Sequence, residues 1–253
     1  MQEMEHTCEK KCHRCGKLLA AFVLGIAIFG GLWIHGYYMA GRSANNTITV
    51  TGSAKKSVDA DLAKWSASFT RHADAGGLKT ALAQANSDTE KIKKFIIDGG
   101  IPETSITFLP IQSDTVYETQ NYMQTQKVLG YNVRQEVRVE DKDIAKVDLL
   151  AKNISKLIDD GIIADYQNTG YYYTKLDALR PSLFAEATKD AKTRAEAIAS
   201  GTGVKVGALK TAKTGVIQVL APNSTDVSDY GSYDLSTKAK EISATVNVAF
   251  ELK

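Results

Sequence analysis

The sequence predicts an α+β domain, a mixed and mostly antiparallel sheet with about three helices on one face, preceded by one transmembrane helix. Three observations carry this expectation. Residues 18–40 (LLAAFVLGIAIFGGLWIHGYYMA) are apolar almost throughout and contain no Asp, Glu, Lys or Arg. Downstream, several segments alternate apolar and polar residues with the period of two of a half-buried strand. Between them, three segments repeat apolar residues at helical spacing, without strict strand–helix alternation.

The apolar stretch comes first. As a helix rising about 1.5 Å per residue it reaches roughly 34 Å, enough to cross a bilayer core of about 30 Å. Lys10, Lys11, Arg14 and Lys17 precede it, and only Arg42 follows closely. The positive-inside rule therefore places the N-terminus in the cytoplasm and the bulk of the chain outside. Trp33, Tyr37 and Tyr38 sit near the outer end, where aromatic belts form. His35 lies about a turn from the interface and reads as a neutral imidazole near the headgroups. The apolar part exceeds the usual signal-peptide core of about 7–15 residues. Only Gly41-Arg42-Ser43 resembles a cleavage site, and poorly, so an uncleaved signal anchor is expected.

Beyond a linker at 41–46, residues 47–51 and 62–71 (LAKWSASFTR) read as strands. Asp74-Ala75-Gly76-Gly77 punctuates. Leu78, Ala81, Leu82, Ala85, Thr89, Ile92, Phe95 and Ile96 form one helical stripe, stopped by Gly99-Gly100 and Pro102. Residues 105–117 and 127–139 read as strands joined by a polar turn. Ile144, Val147, Leu150, Ala151, Ile154, Leu157 and Ile158 make a second helical stripe, ended by Gly161. A strand is expected at 162–174. A third helix follows at 177–199, with Asp177 as N-cap and Gly201 and Gly203 past its end. Pro181 suits only its first turn. Strands at 204–219 and 240–251 complete a domain spanning 47–253. Within it, the Ser-, Asp- and Gly-rich stretch of about 220–238 reads as a flexible loop.

Charge narrows the function classes. The chain has 31 basic and 29 acidic residues. Residues 1–42 hold five of the former and three of the latter, which leaves 26 of each outside. A formally neutral outer part offers no phosphate-binding surface, so nucleic acid is disfavoured. All three cysteines, Cys8, Cys12 and Cys15, precede the apolar stretch. The outer domain must hold together by packing alone, although an exported compartment permits disulfides.

From about Asn46 to Lys253 the chain resembles the SIMPL-domain family of bacterial periplasmic and envelope proteins, the group of the periplasmic immunogenic protein. The matching segments are ITVTGSAKKSVDADLAKWSASF (48–69), the run from Ala85-Asn86 through Gly100-Ile101-Pro102 to Leu109-Pro110, Gly130-Tyr131, and DAKTRAEAIASGTGVKVGAL (190–209). The resemblance implies an exported or membrane-anchored α+β domain without known catalytic residues. One relative is described as a large ring-like oligomer, and some are linked to oxidative or envelope stress. The membrane anchor and the Cys-containing tail depart from the usual pattern.

Several motifs remain. Cys8-x₃-Cys12-x₂-Cys15, with His13 and His6 beside it, is the one dense set of soft ligands. Three thiolates and the His13 imidazole would satisfy tetrahedral zinc. The same thiols suit juxtamembrane palmitoylation, or neither role. The spacing also occurs in enzymes that bind an iron–sulfur cluster with S-adenosylmethionine, but those need a large barrel and here a span begins three residues later. Gly201-x-Gly203-x₃-Gly207 lies after a helix, the reverse of a phosphate-binding fingerprint, and reads as helix termination. The outer domain has one histidine, His72, and no G-x-S-x-G elbow. No cofactor and no enzyme activity are expected there; a reaction would have to use His72. Tyr171-Tyr172-Tyr173 reads as strand packing or, with Tyr230 and Tyr233 of the loop, as an interface.

The sequence thus describes a cytoplasmic tail (1–17), a signal anchor (18–40) and a periplasmic domain on a bacterial inner membrane. Its expected role is a non-catalytic, homo-oligomeric scaffold or envelope-stress protein. The alternative is a sensor of a ligand or partner that signals through the Cys tail.

Overall fold

The structure is a computed structural model that describes residues 25–37, 46–226 and 228–253. Helix α1 covers residues 25–37. The domain follows as β1 (Thr47–Asp59), β2 (Leu62–Asp74), α2 (Leu78–Asp98), β3 (Ile106–Phe108), β4 (Gln112–Gln120), β5 (Met123–Asp141), α3 (Ile144–Asn153), β6 (Ala164–Tyr172), α4 (Leu176–Ser200), β7 (Val206–Thr214), β8 (Gln218–Leu220) and β9 (Ala239–Leu252). The α+β class holds, but the strands divide between two sheets instead of one. The five-stranded sheet has the order β3-β5-β2-β6, with β4 also on β5; the four-stranded sheet has the order β1-β9-β7, with β8 on β9. Alternation shows that a segment is a strand but does not choose its partner. Here β2 turns from β1 and pairs antiparallel with β5 and β6.

Two compact units emerge: Gly52–Asp190 with Thr214–Val246, and the described residues up to Thr51 with Ala191–Lys213 and Asn247–Lys253. In the larger unit, β2 alternates small and large core residues, Ala63, Trp65, Ala67 and Phe69, all buried. Val137 and Val139 of β5 share that face. Ile92 and Ile96 of α2 and Val147 and Leu150 of α3 cover it. The buried stripe of α2 also carries Asp88, whose carboxylate takes a two-pronged hydrogen bond from Arg71 at 2.5 and 2.9 Å. A buried carboxylate is tolerated only with such a partner.

Several boundaries differ from the sequence pattern; the 47–51 strand runs on to Asp59, and the 204–219 strand divides into β7 and β8. The 105–117 strand breaks into β3 and β4 around Leu109-Pro110-Ile111, because Pro110 has no N–H to give a ladder. The second helical stripe tightens into a 3-10 turn at Ile154–Asp160 before Gly161, which ends it with φ of 71°. Asp177 is not the N-cap of α4 but lies within its first turn, and Pro181 is the sixth helical residue. The chain reverses earlier than expected, where the Asp61 carboxylate accepts from the Thr174 N–H (2.7 Å) and Oγ1 (3.0 Å). The carbonyl that Pro181 leaves without an N–H donor is that of exposed Asp177, which water can reach.

The smaller unit is closed by short backbone links. The Lys253 and Lys205 N–H groups each donate to the other's carbonyl at 2.8 and 2.9 Å, and the Leu252 N–H donates to Asn46 O. Ala191, Ala195 and Ala199 of α4 are buried at four-residue spacing. In α1, Phe29, Trp33 and Tyr37 are exposed. Among the described residues no helix is long and apolar enough to cross a membrane, and the expected 18–40 span extends to residues outside them.

Candidate functional site

Two features of the larger unit stand out: a cluster where the tyrosines nominated by sequence meet the 221–238 segment, and a projecting hairpin.

The cluster forms at the C-terminal end of β6. Tyr171 Oη donates to Asp148 Oδ1 of α3 at 2.7 Å, and the Lys238 ammonium bonds the other oxygen of that carboxylate. Lys238 also lies 5.6 Å from the centre of the Tyr171 ring. Tyr233 Oη accepts from the Tyr173 N–H at 2.7 Å and donates to Tyr173 O at 3.3 Å, and its ring tilts against Tyr172. Lys240, at the start of β9, is fully buried. Its ammonium donates to Asp234 O and Thr237 O, both at 2.6 Å, and to Asp234 Oδ2 at 3.2 Å. Three acceptors match the three protons of an ammonium, which is why a charge can stay here.

The electrostatics match a clasp and not a proton-transfer site. Burial, and then the bond to Asp148, push the Tyr171 hydroxyl up to about 12, so it keeps its proton near neutrality. Burial alone would raise the Asp148 carboxyl. The hydrogen bonds from Lys238 and Tyr171 outweigh it and hold the group below the usual carboxylate range. Asp234 is likewise lowered: burial opposes ionisation, but bonds from Ser236, Thr237 and Lys240 prevail. Neither carboxylate nor phenol is poised to exchange a proton near pH 7.

Of the interface tyrosines suggested by sequence, Tyr172 and Tyr173 therefore meet Tyr233, while Tyr171 bonds Asp148 in the same clasp. Tyr230 stands fully exposed nearby. The segment read as a flexible loop carries several bonds: the Val219 N–H to Ser232 O, the Asp234 N–H to Val219 O, and the Tyr171 N–H to Leu235 O. His72 is exposed on β2, its Nδ1 2.7 Å from Asn132 Oδ1, an amide partner on the adjacent strand. Cys8, Cys12, Cys15 and His13 lie outside the described residues. Among the described residues no group of His, Cys, Asp and Glu could hold a metal ion.

The two strands joined by a polar turn are the ones the sequence predicts, but their reach beyond the rest of the sheet is not. β2 stops pairing with β5 at Asp74 opposite Gly130. From there outward, β4 and β5 continue alone, closing through Gln120 opposite Met123. At about 3.3 Å per residue, the seven residues 123–129 beyond Gly130 project roughly 23 Å past the neighbouring strand. The tip residues Asn121 and Tyr122 have φ of 50° and 63°, a two-residue turn of the type that prefers Asn-Gly. The arm exposes Tyr117, Tyr122, Met123 and Leu129, with Tyr122 wholly in solvent. A sequence signal existed: Tyr122-Met123 is an aromatic–apolar pair inside a turn otherwise made of Gln, Asn and Thr. Period-two reading treats such a pair as noise.

A comparison with curated proteins finds no match. A family model described as SIMPL, a protein of unknown function (DUF541), matches residues 48–250, nearly the whole described domain. The chain belongs to the SIMPL family.

Proposed function

We propose that this chain is a membrane-anchored periplasmic assembly domain without catalytic chemistry, held in a bacterial inner membrane by residues 18–40 and self-associating through the β4–β5 arm. The observation that carries this reading is the arm itself. A two-stranded ribbon is marginal alone in water, and this one presents an apolar, aromatic tip.

The magnitudes say where assembly happens. Burying one large apolar side chain is worth about 1.5–3 kcal/mol. Four partly exposed ones therefore give on the order of 4–8 kcal/mol, comparable with the cost of bringing two proteins together in solution. Confinement to a membrane plane raises the effective concentration and tips that balance. A formally neutral outer part, with 26 charges of each sign, does not repel its own copies.

The test is cross-linking of the full-length chain in membranes, with the mass of the detergent-extracted protein measured alongside. Multimers are expected for the wild type and monomers for the combined Tyr122→Ser, Met123→Ser and Leu129→Ser variant. A wild type that is monomeric in both settings would sink the proposal, as would a variant that assembles normally.

A further inference from the structure

The larger unit carries an apolar groove as well as the arm, about 490 Å³ in volume and beside the clasp. One stripe of α4 lines it: Leu176, Arg180 and Phe184, set four residues apart and so stacked on one helix face. Val216 and buried Val219 add further apolar surface. Tyr230 completes the lining. The stretch after it is held against β8 by the Val219 N–H on Ser232 O and the Asp234 N–H on Val219 O. Tyr230 stands wholly in solvent and Val216 is exposed, so the described chain leaves this surface uncovered.

Position and charge say what fits. The clasp and the arm lie at opposite ends of β2, where Leu62 pairs with Tyr172 and Asp74 with Gly130. The twelve steps of β2 between them span roughly 40 Å at about 3.3 Å each, and the arm runs on outward from the Asp74 end. The groove is tied to the Leu62 end, because Tyr233, which also lines it, bonds Tyr173. An arm therefore cannot reach the groove of its own chain. The one charged side chain of the lining, Arg180, already has a partner in Asp177 at 3.4 Å. An uncharged occupant suits such a groove. The arm tip matches it: residues 119–126 (TQNYMQTQ) contain no charged residue, and Tyr122 and Met123 stand out into solvent.

We infer that the Tyr122–Met123 tip of one copy seats in this groove of a second copy, a head-to-tail contact. The inference rests on self-association through the arm and names the surface that receives it. The Tyr122 ring packs against Phe184 and Tyr230, and the Met123 thioether suits the same aromatic lining. The two partners use different surfaces, so every pair leaves one free arm and one free groove, and further copies add in the same sense. An aromatic side chain buries roughly 150–250 Å², so two tip residues and the groove they cover bury on the order of 800 Å², below the roughly 1,200 Å² of a stable interface. A single contact is therefore weak in solution, and copies held in one membrane plane supply the concentration it needs.

The experiment is complementation between two full-length variants in membranes, read by cross-linking. One is the arm variant, Tyr122→Ser/Met123→Ser/Leu129→Ser, whose groove is intact. The other is a groove variant, Val216→Glu/Tyr230→Ser, whose arm is intact; both of its positions are exposed. Each variant alone is expected to lose all multimers. Co-expressed with different tags, they are expected to form mixed dimers and nothing larger, because one arm and one groove remain. A groove variant that assembles like the wild type would overturn the inference and leave assembly through the arm standing. A wild type without multimers would remove both. A benzophenone amino acid in place of Tyr122 reads the contact with the groove unaltered. Adducts are expected within 176–184 and 216–233 of another copy. Adducts confined to another copy's arm, or no adduct between copies, would overturn the inference, as would absence of mixed dimers from variants that melt like the wild type.

Discussion

Replacing Tyr122 by glycine should stabilise the folded chain while removing its stickiest surface. Tyr122 occupies the left-handed region with φ of 63°, next to Asn121 at 50°. A residue with a Cβ gives up about 1–2 kcal/mol to sit there. Glycine sits there freely but loses about 0.5–1 kcal/mol more conformational entropy on folding. The Tyr122 side chain is fully exposed, so truncation removes no packing within the protomer. The net expectation for Tyr122→Gly is a gain of about 0.5–1 kcal/mol, and the turn becomes Asn-Gly, the sequence its geometry favours. For a domain of this size that corresponds to roughly 1–4 °C in melting temperature. The assay is thermal unfolding followed by tryptophan fluorescence, with buried Trp65 as reporter. It should be run down a dilution series until the midpoint stops depending on concentration, because assembly stabilises by mass action. A midpoint in that limit below the wild-type value would refute the reasoning. It would mean that the tyrosine side chain already contributes to the folded protomer.

Other expectations follow from the clasp and the core. Lys240→Met removes a buried ammonium and leaves two carbonyls and a carboxylate short of a donor; urea midpoints should report a loss of about 3 kcal/mol, and a loss under about 1 kcal/mol would contradict the clasp. The raised Tyr171 group contributes stability that is complete below its unfolded value near 10 and is lost as pH climbs through about 12. Melting temperature against pH should therefore fall in that alkaline window, less steeply for Tyr171→Phe. Asp148 and Asp234, both lowered, contribute stability present above about pH 4 and lost as acid protonates them; Asp234→Asn should flatten the acid limb of the same curve. Arg71→Met strands the Asp88 carboxylate, and a double-mutant cycle with Asp88→Leu should return a coupling of about 2 kcal/mol.

Much of the fold was legible because its signals are local. The α2 stripe, with its Gly99-Gly100 stop, needs only the 3.6-residue period and the backbone freedom of glycine, which Gly100 uses at φ of 85°. Gly201 and Gly203 read correctly as helix termination for the same reason. Pro110 is in plain view, yet the period-two pattern runs straight through it, because a missing N–H matters only where a neighbouring strand asks for it. The candidate surfaces were less legible. Tyr171 and Tyr233 looked like contact residues by type, whereas partners at Asp148, 23 positions away, and Tyr173, 60 positions away, occupy their hydroxyls.

By itself the sequence determined the α+β class, the order of the helices and of most strands, and membership of the SIMPL family, because period, punctuation and motif order are properties of neighbouring residues. Only the tertiary structure decided that the strands form two sheets, that Lys240 is buried under the 221–238 segment, and that β4 and β5 outrun β2. Each of those depends on which distant strand supplies the hydrogen bonds, and a one-dimensional pattern carries no record of its partner.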